Sequence, residues 1–502
     1  MLYRPEVLSL WDTTLFFSEG GYHLFFLQQH GLGHAVSVDL ANWSPLPDID
    51  LRGNPGEWNE WGAGLTGCVV EHEGRFALLA GSLTPDTRES VYGAFFSDDL
   101  VTWVPFEGNP VLRAPAEFGH DPAVLRDGGM FNAWRDPSVV VDADGVYHAY
   151  LCARSGPWTE GRTGSVVAHA SSRDLLTWEH HDPILWTDRV KYTEVPGVFE
   201  LEGRHYVYFL DRGWGGLRIH TPSRESTSGT YYMVAASPEG PYEWPADPLL
   251  IGRGHDRLGA VAARVLEHED GLLLYHHTSA HRSAFAPLKQ VRAQPDGSLY
   301  LQYFPAIEAL ETGPAIAGTT RWAPLPGDVG VWRRDESGVA ARSSVVGSTS
   351  LLAPDVADLH VRCVIRMDEG ARAGVVVRSA TGLDGERERR AGVVITLDFE
   401  LQRVRLEVLE YVAAEGWSVS TSDLRGGLGR EFDTVTMPLE LGRPYLLRCF
   451  VRAEFVEVYL DDRWVFSTAS ATHAERGDVE LYVERGEAAF TDLRIAELTA
   501  LD

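Results

Sequence analysis

Four segments of the chain close in the same way. "HAVSVDLANW" ends at Trp43, "AFFSDDLVTW" at Trp103, "AHASSRDLLTW" at Trp178 and "MVAASPEGPYEW" at Trp244. Each is a short apolar strand, then Ser, an acidic turn, and a Trp that opens the next strand. The spacing, about 60 to 75 residues, is within reach of one propeller blade with long loops. A second element occurs five times: "GYHLFFLQ", "GRFALLAGS", "GVYHAYLCAR", "GRHYVYFLDR" and "GLLLYHHTS". Each follows another strand across a turn of about two to four residues, such as Ser18–Gly21 and Asp142–Gly145. Helix-length amphipathic runs are scarce. The expected fold is all-β, with a five-bladed β-propeller over residues 1–305. A sandwich of many hairpins would leave the regular Trp unexplained.

Residues 306–326, rich in Ala, Gly, Pro and Thr, read as a linker. Beyond them apolar residues fall at every second position, as in "LHVRCVIRM" and "RVRLEVLEY". Such strands bury one face, which predicts a β-sandwich over residues 327–502.

The first strand of each blade lines the central channel, so residues at the starts of these strands share one rim. Asp12 lies ten residues before Tyr22, Asp136 eleven before Tyr147, and Glu194 eleven before His205. The matching positions are Leu65 or Thr66 in the second blade and Val261 in the fifth. Three carboxylates at one register of one funnel cannot all ionise freely, so repulsion and burial raise the pKa of at least one. An acid beside an ionised partner is what glycoside cleavage requires. Any one of the three could equally cap a turn. Arg135, in "WRDPSVV", would either pair with Asp136 or grip sugar hydroxyls.

A net charge of −28 argues against a nucleic-acid backbone or an anionic membrane as partner and leaves neutral ligands open. Cys68, Cys152, Cys363 and Cys449 are far apart within apolar strand patterns, and read as buried free thiols. His34, His120 and His255 lack metal-binding spacing, so neither a catalytic metal nor another cofactor is expected. The start of the chain reads as neither a secretory leader nor a membrane span, and the expected location is cytoplasmic. Oligomeric state is not legible.

The motifs resemble those of glycoside hydrolase family 32, the invertase, fructanase and β-fructofuranosidase group, within a clan of five-bladed propellers that includes families 43, 62 and 68. "LWDTTLFFSEGGYHLFFLQ" is similar to its N-terminal nucleophile region, and "GLGHAVSVDLANWSPLP" to its Trp-Gly-His-Ala segment. "GLTGCVV" stands where that family has Phe-Ser-Gly-Ser, "WRDPSVV" matches its Arg-Asp-Pro motif, and "TEVPGVFELEGRHYVYF" its Glu-Cys-Pro region. The resemblance implies Asp12 as nucleophile, Glu194 as acid/base and Asp136 as transition-state stabiliser. It implies hydrolysis of a β-fructofuranoside or related furanoside by two carboxylates with retention, on a small oligosaccharide or fructan. Fructosyl transfer, inverting arabinofuranoside cleavage, and sugar binding without catalysis are the alternatives. Leu32, Thr66, Cys68 and Val195 depart from the family pattern and mark a divergent member.

Trp11, Gln28, Trp58, Trp61, Thr66 and Arg135 are the candidate substrate-binding residues. Trp58 and Trp61, in "GEWNEWGAGL", would stack on a sugar face or close a blade interface. Gln28 would bond substrate or be merely solvated. Asp121, Asp256 and Arg257 are weaker rim candidates.

Overall fold

In the computed structural model, the described residues are 2–6, 10–18, 20–28, 31–116, 134–155, 164–212, 219–224, 228–253, 260–278, 283–317, 322–324, 329–336, 338–384, 387–412, 430–469 and 475–500. They form two compact units. One comprises Met1–Thr221, Thr227–Gly252 and Ala260–Ala306; the other comprises Pro222–Ser226, Arg253–Gly259 and Ile307–Asp502.

The first unit is a succession of antiparallel meanders. Strands β1 (Trp11–Ser18), β2 (Gly21–Leu27), β3 (Gly31–Ser37) and β4 (Ser44–Asp50) form the first sheet. The second contains β5 (Leu65–His72), β6 (Arg75–Leu83), β7 (Ser90–Ser97), β8 (Val104–Pro105) and β9 (Leu112–Arg113). The third contains β10 (Arg135–Val141), β11 (Tyr147–Arg154), β12 (Ser165–Ser172) and β13 (Glu179–Thr187). The fourth contains β14 (Glu194–Leu201), β15 (Arg204–Asp211), β16 (Ser228–Ala235) and β17 (Leu249–Arg253). A fifth meander, β18 (Ala260–His268), β19 (Gly271–Thr278), β20 (Lys289–Ala293) and β21 (Leu299–Tyr303), is not a sheet of its own, because β21 does not end its sheet. Four separate blades therefore stand where five were expected. The arrangement is propeller-like: β1 packs on β5, β5 on β10, β10 on β14, β14 on β18, and β18 on β1.

The repeated Ser-acidic-Trp segment is a turn device. Ser37, Ser97 and Ser172 each donate a hydroxyl to the aspartate two residues on, at 3.1, 3.0 and 3.0 Å. Oδ1 of Asp39, Asp99 and Asp174 then accepts two backbone N–H groups from the following turn. The intervening leucines adopt left-handed φ, 60° at Leu40, 62° at Leu100 and 61° at Leu175, and all three are buried. A leucine in that region is strained. Burial of its side chain and the aspartate cap hold it there. Trp103 and Trp178 donate their indole N–H to the Leu100 and Leu175 carbonyls, both at 3.1 Å. In the fourth repeat Glu239 replaces the aspartate, and Gly240, φ 86°, takes the left-handed position without strain.

The second unit is also built of antiparallel strands, with β26 (Leu359–Asp384) and β33 (Gly477–Leu498) as its longest pair. β26 pairs with β30 (Pro444–Arg452) over its first half and with β27 (Arg387–Asp398) over its second. Alternate residues Val361, Cys363, Ile365 and Met367 are fully buried in an apolar core shared with Leu397, Leu406, Leu447 and Leu481. The fully buried Arg372 bonds Asp398 at 2.8 Å and Glu484 at 3.0 Å. A guanidinium so placed is tolerable only with its carboxylates present.

The segment expected as a linker is ordered into elements over its described residues. Pro305–Leu310 forms a 3₁₀ turn with Ile307 and Leu310 buried. β22 (Glu311–Ala317) pairs with β33, and β23 (Trp322–Pro324) pairs with β25 (Gly338–Val356). Small residues dominate the segment's composition, and the two apolar side chains three apart carried the contrary signal. No helix among the described residues is long and apolar enough to cross a membrane.

Two stability effects follow. The backbone N–H groups of Thr102 and Val101 hold the Asp99 carboxyl down at about 2. Asp99→Ala should therefore cost about 1 kcal/mol at pH 6, the scale of the lost hydrogen bonds. Because the depressed group contributes above its unfolded value of 3.8, the gap to wild type should close as pH falls below that value, as read by urea unfolding. Two buried histidines act in the same direction at higher pH. Burial holds His34 at about 3 and His169 at about 4, so the folded state refuses protons that the unfolded chain takes up at the ordinary histidine value of 6.5. Urea midpoints should fall from pH 7 to pH 5, and His169→Phe should flatten that slope.

Candidate active site

Near the start of each of the five inner strands the register slips by one residue. The slips lie between Trp11 and Thr13, Leu65 and Cys68, Arg135 and Ser138, Glu194 and Gly197, and Val261 and Arg264. Such a bulge kinks the strand and re-aims its side chains. In four strands a non-glycine residue at the bulge has left-handed φ: Asp12 (38°), Asp136 (60°), Val195 (49°) and Ala262 (48°).

The strand pairing corrects the expected register. Trp11 pairs with Leu27, Leu65 with Gly81, Arg135 with Cys152, Glu194 with Leu210 and Val261 with His277. Asp12, Thr66, Asp136, Val195 and Ala262 are thus equivalent, while Glu194 stands one residue earlier, level with Arg135. Phe17 pairs with Tyr22 and Glu200 with His205 across four residues, but Val141 with Tyr147 across five, so equal counts back from the second strands do not mark one register.

Asp12, Asp136 and Glu194 nevertheless line one cavity of about 380 Å³, with Trp11, Thr66 and Arg135. Leu65, Leu83, Val195, Leu210 and Val261 supply its apolar wall. The volume is that of a small-ligand site. The Thr66 hydroxyl donates to Asp12 Oδ2 at 2.6 Å and orients that carboxylate. Arg135 bridges the other two carboxylates, at 2.7 Å to Glu194 Oε1 and 3.3 Å to Asp136 Oδ2. The Tyr192 ring lies 4.8 Å from its guanidinium. Asp136 Oδ2 also accepts the Val195 N–H at 3.2 Å, so the two bulges are tied directly. Burial raises the pKa of Glu194, opposed by the guanidinium groups of Arg135 and Arg212. Burial likewise raises Asp136, with Arg135 opposing and the nearby Asp12 reinforcing. The result is three carboxyl groups in one small hollow, two of them raised by burial.

Three of the candidates do not reach it. Gln28 bonds Asp48 Oδ1 at 3.3 Å on an exposed surface. Trp58 packs in the apolar cluster between the first two meanders, with its ring centroid 6.3 Å from that of Phe95. Trp61 is 37% exposed, but the Arg88 guanidinium sits 4.2 Å over its ring. A tryptophan on a rim loop can turn inward to a blade seam or outward to a neighbouring side chain, and these two do so. Asp121, Asp256 and Arg257, like His120 and His255, lie outside the described residues.

Several contributors escaped the sequence reading. Arg212 stands beyond Leu210 at the end of β15, with Nε 3.8 Å from Glu194 Oε2. The alternation of Leu210 and Arg212 was its one available signal. The Asp136 N–H donates to the Tyr92 hydroxyl at 2.9 Å, and Arg264 donates to the Pro137 carbonyl at 3.3 Å. Both satisfy backbone groups that the bulge removes from the ladder, and no local pattern announces them.

Residues 13–263, half of the chain, match the family model described as the glycosyl hydrolases family 32 N-terminal domain. The chain belongs to glycosyl hydrolase family 32. Among its family 32 relatives it is similar to a levanase of Bacillus sp. (strain L7), 28% identical over 261 residues, covering 47% of this chain and 25% of that protein. An acid β-fructofuranosidase of Solanum lycopersicum is 31% identical over 135 residues, covering 24% of this chain and 21% of that one. The matches thus span about a quarter or less of these curated relatives' lengths. Among solved structures, sucrose-6-phosphate hydrolase from Lactobacillus gasseri superposes with a TM-score of 0.68 at 16% identity, covering 99% of this chain and 92% of that one. Fructan 1-exohydrolase IIa from Cichorium intybus, in complex with 1-kestose, gives 0.66 at 13% identity, covering 100% and 97%. At these identities the likeness is one of fold.

The role of Arg135 in this family 32 site is open to a direct titration. Removing its charge in Arg135→Gln should move the pH at which Glu194 loses its proton upward, because the opposing cation is gone and burial remains. Carboxyl infrared difference spectra of wild type and variant read the shift, and an unmoved Glu194 would exclude the bridge as its control.

Proposed function

We propose that the protein hydrolyses β-fructofuranosides with retention at the anomeric carbon. The observation carrying this reading is the convergence of Asp12, Asp136 and Glu194, from three different inner strands, on one cavity of about 380 Å³. Glu194, whose proton is retained by burial, donates to the glycosidic oxygen as the bond breaks. Asp12, held by Thr66, attacks the anomeric carbon and forms a glycosyl ester. Water, deprotonated by Glu194, then releases the sugar and frees Asp12. Asp136 accepts hydrogen bonds from sugar hydroxyls that strengthen as positive charge develops on the ring. Arg135 keeps the neighbouring carboxyls apart in function, its cation limiting how far each is raised.

On the same footing, the fifth meander is read as the fifth blade, supported by the closed ring of inner-strand contacts. The second unit is read as a β-sandwich, supported by its alternating strands around one apolar core. Fructosyl transfer is the second reading. It is favoured by relatives that include fructosyltransferases of Allium cepa and Asparagus officinalis. The ratio of free fructose to elongated product at high sucrose separates the two.

Glu194→Gln tests the acid. On sucrose it should lose roughly 10²- to 10⁴-fold in kcat. On fructosyl fluoride, whose leaving group needs no proton, the loss should be far smaller. Equal losses on both substrates, or full activity on sucrose, would remove Glu194 from that role.

A further inference from the structure

Arg135 must hold one posture to serve two carboxylates that come from different strands. Its Nη2 reaches Glu194 Oε1 at 2.7 Å and its Nε lies 3.3 Å from Asp136 Oδ2, with 11% of the side chain exposed. An arginine side chain is long and rotatable, and two contacts at its edge do not fix the plane of the guanidinium. The Tyr192 ring supplies a contact at the face, with the guanidinium carbon 4.8 Å over its centroid. That ring is 3% exposed, and burial raises its phenol above the ordinary value. It therefore meets the guanidinium as a neutral π face.

The ring is itself held in place. Tyr192 packs on Cys152, the residue that Arg135 pairs with across the β10–β11 ladder. The residues on either side of Tyr192 are pinned to β12. The Ser165 hydroxyl donates to the Lys191 carbonyl at 2.6 Å, and the Thr193 hydroxyl donates to the Val166 carbonyl at 2.7 Å. Glu194, the first residue of β14, stands two residues beyond Tyr192. One short segment thus delivers both the carboxyl and the ring beneath its cation, and the third meander holds that segment in place.

Two further cations share the ring. Lys191 Nζ lies 5.6 Å from its centroid and the Arg154 guanidinium 6.0 Å. Arg154 ends β11, two residues beyond Cys152. The crowding is felt at Lys191, whose pKa is lowered by burial first and by Arg154 next. Like charges so close together repel, and a loosely held guanidinium would move away from them. The negative face of the ring and the two carboxylates make the bridging place the favourable one. We infer that Tyr192 is a positioning residue for the reaction: its ring is the shelf that sets Arg135 between Glu194 and Asp136. The inference rests on the reading of Glu194 as the acid.

Tyr192→Phe keeps the ring, whereas Tyr192→Leu and Tyr192→Met remove it and fill most of its volume with apolar atoms. On sucrose, Tyr192→Phe should match wild type within about twofold in kcat and share the basic limb of its pH profile. Tyr192→Leu and Tyr192→Met should lower kcat about tenfold, the scale of one desolvated cation–π contact, and move the basic limb upward. The sign follows from the site. Burial raises Glu194, Asp136 and Asp12 add to that, and the Arg135 and Arg212 cations oppose it, so a displaced Arg135 weakens the opposition. A side chain that only filled space would change the urea midpoint and the yield of active enzyme, and not the limb. Carboxyl infrared titration should show the same upward shift at Glu194 without turnover. A limb and a titration unmoved in both Tyr192→Leu and Tyr192→Met, or moved as far in Tyr192→Phe, would overturn the shelf. No turnover of any fructoside by wild type, with the titration still moved in Tyr192→Leu and not in Tyr192→Phe, would leave the shelf standing and remove the reading of Glu194 as the acid.

Discussion

One buried guanidinium makes the site possible. Arg135 lies between Glu194 and Asp136 with little exposure, and neither carboxylate could be carried so deep without it. Burial alone pushes both groups toward the protonated form. The bridge breaks that symmetry: its shorter contact goes to Glu194, while Asp136 is also held by the Val195 N–H. Two carboxyls in one hollow thereby receive different surroundings.

The bridge in turn depends on the bulges. In a regular strand, Arg135 and Asp136 would point to opposite faces. The slipped register lets both meet the same cavity, and the freed backbone groups are taken up by Tyr92, Arg264 and neighbouring strands. Backbone strain at Asp12, Asp136, Val195 and Ala262 is sustained by packing from every adjacent meander. Loss of one inner strand would therefore be felt by the others.

Much of this was legible from residue order because the chain repeats itself. The Ser-x-Asp-Leu turn recurs with its Trp at fixed distance, and a periodic turn implies periodic sheets. Comparison between repeats also brought the three carboxylates to one rim. Local patterns did less well where tertiary partners decide. Glu194 was placed one residue off, since the turn after β10 is one residue longer than those after β1 and β14 and a count back from the second strand does not see it. Trp58 and Trp61 were open between sugar and seam, and only their neighbours Phe95 and Arg88 resolve where their rings lie. Arg212 follows β15 while its partner Glu194 opens β14, and beyond its alternation with Leu210 no local pattern points to that carboxylate. The Ala- and Pro-rich segment after Tyr303 looked like a tether because composition outweighed its two buried apolar side chains.

The kink at the rim recurs in all five inner strands, yet only some of them carry acidic groups there. β5 presents Thr66 at that point and β18 presents Ala262, the latter with the same backbone twist as the aspartates. A scaffold of this kind separates where a reactive group stands from which residue supplies it. Thr66 already lines the cavity, so a different side chain on that spoke would meet the hub without redrawing the frame.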